Sequence, residues 1–386
     1  MERTWRWMPA DQVRAVGPTA DQRARGRLRD WWERFRGTTD HEIDVAPAQD
    51  RLGPLEARRL KALTPELDRF AQRAALSTLR GGRTRTVLLR PDDRGWDAVL
   101  DETRVGDPAR LVPPDAPPLG EGLPRPAEAM VRDAPWLHVS RLERWWLRHH
   151  DGLGALRGLL GALAVRDGPW MLDVAPWAWA WMRRVLPEAR ALPAALAPAP
   201  LDGDALVAWF GEGSATAVRL REGGGAPDAA TYHALARRAR GAPGVALAIW
   251  QACLRDGAEA EAETDADRGD AASDAAVQGT GEEQDAPRGP TVWMRAPHRV
   301  ELPSAASLAR HDLLVLHAAL VHGGASDAVL RRASGMGAAE VRAARSACEA
   351  RGLLEQDEDG RVHVRAAALP SISDRLSDEG FARWAS

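Results

Sequence analysis

The segment TVLLRPDDRGWDAVLDE, Thr86 to Glu102, decides how this chain is read. An apolar run, Val87-Leu88-Leu89, enters a polar loop and then a stretch of helical character. Strand, loop and helix in that order are the setting of a phosphate-binding loop, whose pattern is G-x-x-x-x-G-K-[ST]. Aligned on that pattern, the loop reads Arg90-Pro91-Asp92-Asp93-Arg94-Gly95-Trp96-Asp97. Only the second glycine, Gly95, is kept. Arg90 stands at the first glycine, Trp96 at the lysine and Asp97 at the hydroxyl residue.

Working outward, 386 residues suffice for two or three domains, and 45% apolar residues can build a core without disulfides. A net charge of −3 argues against nucleic-acid binding by bulk electrostatics. The two cysteines, Cys253 and Cys348, form no disulfide framework, which suits a reducing compartment. The N-terminal MERTWRWMPADQ lacks the apolar core of a secretory signal. The most apolar stretch, GLGALRGLLGALAV (152–165), is interrupted by Arg157 and too short to span a bilayer. A cytoplasmic protein without a transmembrane segment is expected.

Residues 256–290 carry eleven acidic and two basic residues and almost no large apolar ones. Such a composition cannot bury enough surface to offset its ordering entropy, so an acidic disordered linker is expected there. Ahead of it, residues 1–80 read as a helical region, with Leu28, Trp31, Trp32 and Phe35 at helical spacing among arginines. Residues 81–255 alternate apolar strands (87–89, 136–139, 170–174) with helices (153–165, 177–185, 232–240, 245–254), which implies a mostly parallel sheet covered by helices. The Pro-rich stretch 107–126 reads as an exposed loop. After the linker, residues 291–386 read as three helices, a strand, the tight turn DEDG and a return strand, the succession of a winged helix-turn-helix.

Five further stretches fall in order along the chain. They are WLHVSRLERWWLRHHDGLGALRGLL (136–160), GPWMLDVAPWAWAWM (168–182), RGAPGVALAIW (240–250), LLVLHAALVHGGAS (313–326) and ARGLLE (350–355). On these the chain resembles a bacterial group of P-loop ATPases of the AAA/STAND kind that carry a C-terminal winged helix, over about residues 50–386. In that group a strand ends in an acidic pair followed by LER-x-x-L-R, and a lid helix opens with GNPG-x-A-x-x-x-W. The resemblance implies an α/β P-loop core with a helical lid.

The departures from that pattern fall on the chemistry. A working loop uses its lysine on the β- and γ-phosphates and its hydroxyl on Mg²⁺. Trp96 can do neither, and Asp97 with Asp92 and Asp93 makes an acidic loop that repels a polyphosphate. The acidic pair is replaced by Ser140 and Arg141, the polar sensor falls around Val174 and Ala175, and the lid asparagine is Ala242. Positioning and charge neutralisation, which together catalyse phosphoryl transfer, are both lost. Gly95, Leu142, Glu143, Arg144, Arg148, Gly152, Trp179 and Trp250 keep the framework.

Other constellations carry less. His149-His150-Asp151 lacks a third ligand, and His311, His317 and His322 are not at i, i+4 spacing, so no metal site and no cofactor are expected. Trp177 and Trp181 lie one turn apart on a helix and suit core or interface packing. With Trp31, Trp32 and Arg148 they are the candidate interface residues. Arg141 and Arg148 are the candidates for an arginine finger offered to a neighbouring site. A DNA-binding winged helix would use Arg342 and Arg345 on its second motif helix, but Glu340, Glu349 and the acidic turn make a poor phosphate-binding face.

The sequence therefore leads to a catalytically inactive ATPase-like scaffold or regulatory subunit. Its expected partner is a protein, either an intact ATPase homologue or a membrane protein. The alternatives are a winged-helix DNA-binding regulator and a nucleotide sensor that binds without hydrolysis.

Overall fold

The computed structural model describes residues 7–13, 85–90, 109–114, 117, 122–211, 218–220, 225–256 and 292–381. Residues 14–80 of the region read as helical, the loop residues Gly95, Trp96 and Asp97, and the acidic tract 257–290 lie outside the described residues.

The protein is α/β and is organised by one mixed six-stranded sheet. Its strands are β1 (Trp7–Pro9), β2 (Arg85–Leu89), β3 (Ala109–Leu111), β4 (Leu137–Val139), β5 (Trp170–Val174) and β6 (Leu196–Pro198). They lie in the order β1-β6-β2-β5-β4-β3. Five run parallel, and β1 pairs antiparallel on β6, with Trp7 opposite Pro198. Buried on both faces, the central strands need nearly continuous apolar sequence, and RTVLL and WMLDV provide it.

Alternation divides the core in two. Val87, Leu89, Leu137, Val139, Leu172 and Val174 face one side. There they meet α1 (Arg125–Asp133), α2 (Gly154–Val165) and α3 (Pro176–Val185), with the short α4 (Pro187–Ala191) following. In α2, Leu156, Leu159, Leu160 and Leu163 form the buried stripe, at i, i+3, i+4 and i+7. The buried Arg166 closes the C-terminus of α1 by donating to the Val131, Arg132 and Ala134 carbonyls. Leu88, Met171 and Leu196 face the other side with Trp209, Phe210 and Trp250. That layer contains α5 (Gly203–Gly211), α6 (Ala229–Ala239) and α7 (Pro243–Cys253). Asp228 caps α6 by accepting from the Thr231 N–H at 2.9 Å. A small sheet of β7 (Val218–Leu220), β8 (Leu254–Asp256) and β9 (Val292–Met294) completes the layer in the order β7-β9-β8.

The remaining elements are α8 (Arg310–Val321), α9 (Asp327–Ser334), α10 (Ala338–Ala350), β10 (Leu354–Gln356), β11 (Val362–Val364) and α11 (Leu369–Asp378). The hairpin β10–β11 turns at Gly360, whose φ of +74° favours glycine. A bridge from Ala325 to Val362 ties the hairpin to the α8–α9 turn. Among the described residues, no helix is long and apolar enough to cross a membrane.

Three points differ from the sequence reading. The Pro-rich stretch 107–126 holds β3, which forms the sheet edge beside β4. Trp7–Pro9, within the region read as helical, is a strand. The expected boundary after residue 290 falls between paired strands, because Asp256 lies opposite Val292 in the β8–β9 ladder. The acidic tract therefore leaves and re-enters the fold at one place. Residues 305–376 also share a continuous core with the first face of the sheet. Cutting an engineered protease site within 257–291 is expected to leave both fragments in one native gel-filtration peak, separating only in denaturant. Release of a free C-terminal fragment without denaturant would contradict the shared core.

Candidate functional site

In open α/β sheets, ligands bind outside the carboxyl ends of the strands where the connections diverge. Here the chain leaves β2 for the far edge at β3 and later returns to β6 on the other side of β2. The carboxyl ends of β2, β4 and β5 meet at that point, and the side chains of Arg90, Glu143 and Asp173 pair there.

Arg90 follows β2 directly, and its N–H donates to the Val174 carbonyl at 2.9 Å. Its guanidinium lies between two buried carboxylates. Nη2 donates to Glu143 Oε1, and Nε lies 2.9 Å from Asp173 Oδ1. The other oxygens are also engaged. Asp173 Oδ2 is 2.7 Å from His138 Nε2, and Glu143 Oε2 accepts from the Ala175 N–H at 3.0 Å. Asp173 Oδ1 takes a second bond from the Arg141 N–H at 2.9 Å. Glu143 is fully buried and Asp173 is 1% exposed. Burial pushes the Asp173 carboxyl up. Arg90, His138 and the Arg141 amide outweigh burial and hold it below its ordinary value.

The turn after β4 is shaped by this network. Arg141 adopts φ +50° and ψ +57°, a left-handed conformation that costs about 1–2 kcal/mol for a residue with a Cβ. Its amide bond to Asp173 holds that conformation and starts the tight turn Leu142–Arg144, which turns Glu143 inward. Ser140 is buried, and its hydroxyl donates to the Leu111 carbonyl at 3.4 Å.

The same turn carries the C-terminal helices. A Cβ on Gly323 would fall 2.7 Å from Glu143 Cγ, so only glycine allows this approach. His322 Nδ1 lies 3.4 Å from the Glu143 carbonyl. Arg148 donates to the Ala333 carbonyl in the last turn of α9, at 3.0 Å from Nη2 and 3.3 Å from Nε. Its Nη1 meets His317 Nδ1 at 2.7 Å. Trp146 stacks on Trp181 with ring centroids 4.4 Å apart and also meets His322 at 4.8 Å. Trp177 stands edge-on to His317.

These contacts set the tautomers. Arginine only donates, so His317 Nδ1 accepts and the neutral ring carries its proton on Nε2. A carbonyl only accepts, so His322 donates from Nδ1. Burial, then Arg148, then His322 push His317 down to about 3. Burial pushes His322 down to about 4, with the bond to the Glu143 carbonyl opposing and Arg148 adding to the shift. Burial, then Arg141 and Arg361, bring Arg144 down to about 10, still charged at neutral pH.

Several expected site residues therefore face inward. Arg148 is engaged on Ala333 and His317, so it is not projected as a finger toward a neighbouring molecule. Trp177 is 3% exposed and Trp181 is stacked on Trp146, so both serve contacts within the chain. Arg345 is tied to Asp327, Glu349 and Gln356, while Arg342 is exposed. Trp31 and Trp32 lie outside the described residues. The polar residue at the end of β5 is Asp173, one position before the expected Val174 and Ala175. Sequence reasoning passed over Asp173, His138 and the side chain of Arg90. The available signal was a charged or polar residue inside an apolar strand, which must find a partner when buried. Among the described residues, no group of three or more His, Cys, Asp or Glu is placed to hold a metal. Compared with known proteins, the sequence matches no family model, and no curated protein matches it.

The two histidines predict an acid dependence with a defined window. Their folded values lie below the ordinary 6.5, so the unfolded chain binds more protons between about pH 6.5 and 4. Their contribution is complete above pH 6.5 and is lost as pH falls through this range, on the order of 3 kcal/mol for His322. Asp173, depressed below 3.8, acts in a lower window, where stability falls as pH drops toward its folded value. Urea melts should show stability declining from pH 6.5 to 4. His317→Asn combined with His322→Asn should flatten that slope, and an unchanged slope would contradict this account.

Proposed function

We propose that the protein is a catalytically inactive relative of the P-loop ATPases, acting by protein–protein contact as a scaffold or regulatory subunit. The carrying observation is the pairing of Arg90 with both Glu143 and Asp173 at the carboxyl ends of β2 and β5. On this reading, the place that a nucleotide and its metal would take is filled by a guanidinium with its own internal counter-charges. Two further carboxylate positions are Ser140, buried and bonded to Leu111, and Arg141, a cation that repels Mg²⁺.

The sheet order supports the same reading. Strand β5 lies between β2 and β4, so the strand followed by the degenerate loop is one strand away from the strand that would carry the acidic pair. That separation differs from the order of dinucleotide-binding folds. The helix, helix, helix, strand, turn, strand succession of α8–β11 supports the winged-helix reading of the C-terminal elements. There, Arg345 is neutralised by Asp327 and Glu349, which weakens the DNA-binding reading. The partner on this proposal is an intact ATPase homologue or a membrane protein that the system controls.

The expected outcome is no ATP or GTP hydrolysis above background, and no Mg²⁺-dependent heat of binding with a non-hydrolysable analogue at micromolar concentrations. Turnover lost on Glu143→Gln in a purified preparation would overturn the inactive reading. Binding without turnover would replace it with a nucleotide sensor.

A further inference from the structure

The junction of α3 and α4 presents arginines in an unusual arrangement. Arg183 Nη1 donates to the Ala189 and Arg190 carbonyls at 3.3 Å each. Arg190 answers by donating from Nε to the Arg183 carbonyl at 2.7 Å and from Nη2 to the Arg184 carbonyl at 2.6 Å. Each guanidinium thus closes the end of the other's helix, and the two are fixed beside each other on the surface. Arg184 is exposed next to them. Among the described residues, none of the three arginines pairs with a carboxylate. The one acid of the segment, Glu188, lies 4.0 Å from Arg157 of α2.

Capping the helix ends uses only part of each guanidinium. Arg183 keeps the edge formed by Nε and Nη2, the fork that matches a carboxylate in a bidentate pair. Exposed apolar groups lie among the charges: Val185, 44% exposed, with Pro187 and Pro193. A surface kept only for solubility in a chain of net charge −3 has no need to fix two like charges beside a third around exposed apolar carbon.

We propose that the ridge Arg183–Pro193 is a docking surface for an acidic segment of a partner protein, one that alternates carboxylates with apolar side chains. Two of the guanidiniums, of Arg183 and Arg190, are held by backbone bonds before the partner arrives, so little of their side-chain entropy is lost on binding. The apolar residues distinguish this partner from nucleic acid, whose phosphates would use the arginines alone. The ridge gives the scaffold reading a place and a partner chemistry, but it stands whether or not the strand-end site binds nucleotide. A peptide titration and a nucleotide titration can therefore fail separately.

The test uses the full chain and a short fluorescein-labelled peptide alternating Glu and Leu, followed by anisotropy. Binding is expected to weaken as salt rises and to fall by about tenfold in Arg184→Glu, whose guanidinium supports no helix end. Arg183→Lys keeps the charge and loses the fork, so an intermediate loss is expected. Melting curves superimposable on wild type verify that both variants fold. Three results would overturn the proposal. The first is no binding at low salt, or binding indifferent to Arg184→Glu. The second is tighter, equally Arg184-dependent binding of duplex DNA. The third is peptide binding seen only after the carboxylates of residues 257–290 are changed to amides, which would assign the ridge to the chain's own acidic tract.

Discussion

A guanidinium held between two buried carboxylates, Arg90 between Glu143 and Asp173, is the constraint on which the rest of the arrangement depends. Taking three charges out of water costs several kcal/mol per ion, so the group persists only where every oxygen is answered. Here each carboxylate oxygen has a donor from the residue after β2, from β4, from the start of α3 or from the turn after β4. The network registers three strand ends against one another. Buried ion pairs seldom add stability over a well-packed apolar core, and specificity of arrangement is the better-attested reason to keep one. In this protein the arrangement specified is the inward turn of Glu143.

That turn links the sheet to the C-terminal helices. Glu143 touches Arg90 through one oxygen and the amide of Ala175 through the other, while its stem lies against Gly323 and its carbonyl receives His322. Arg148, five residues on, closes the end of α9. Trp146, Trp181, Trp177 and the two neutral histidines fill the space between. The tight turn Leu142–Arg144 thus joins two parts of one core.

How much of this could be read from the sequence depended on the length and periodicity of each element. The strands β2 and β5, the helices α2 and α3, and the β10–β11 hairpin announce themselves by apolar runs, by 3.6-residue spacing or by the turn residue Gly360. The strands β1, β3 and β6 are three residues long, and a proline ends β1 and β6 or lies close after β3. They form because the sheet offers them partners, and tertiary pairing of that kind leaves no local period. The strand-end site was half legible. Arg90, Ser140 and Arg141 stand out because they break a known pattern. Asp173 and His138 interrupt apolar strands, but a polar residue there does not name its partner until the fold brings the two strands together. Trp177 was ambiguous for a related reason, since a large aromatic suits a core and an interface equally. The pairing of Asp256 with Val292 could not be read across the acidic tract that separates them.

The most direct measurement of the central claim is a double-mutant cycle between Arg90 and Glu143, with Arg90→Met, Glu143→Gln and the double variant compared by urea unfolding. Arg90→Met leaves Glu143 and Asp173 without their shared cation, Glu143→Gln leaves Arg90 with Asp173 alone, and the double variant removes the Arg90–Glu143 pair as a unit. The account predicts that the double variant is more stable than the sum of the single losses implies, with a coupling energy of about 2–3 kcal/mol. Single losses that simply add, with a coupling below about 0.5 kcal/mol, would mean that the guanidinium and the carboxylate do not act together and that the strand-end site is not held shut from within.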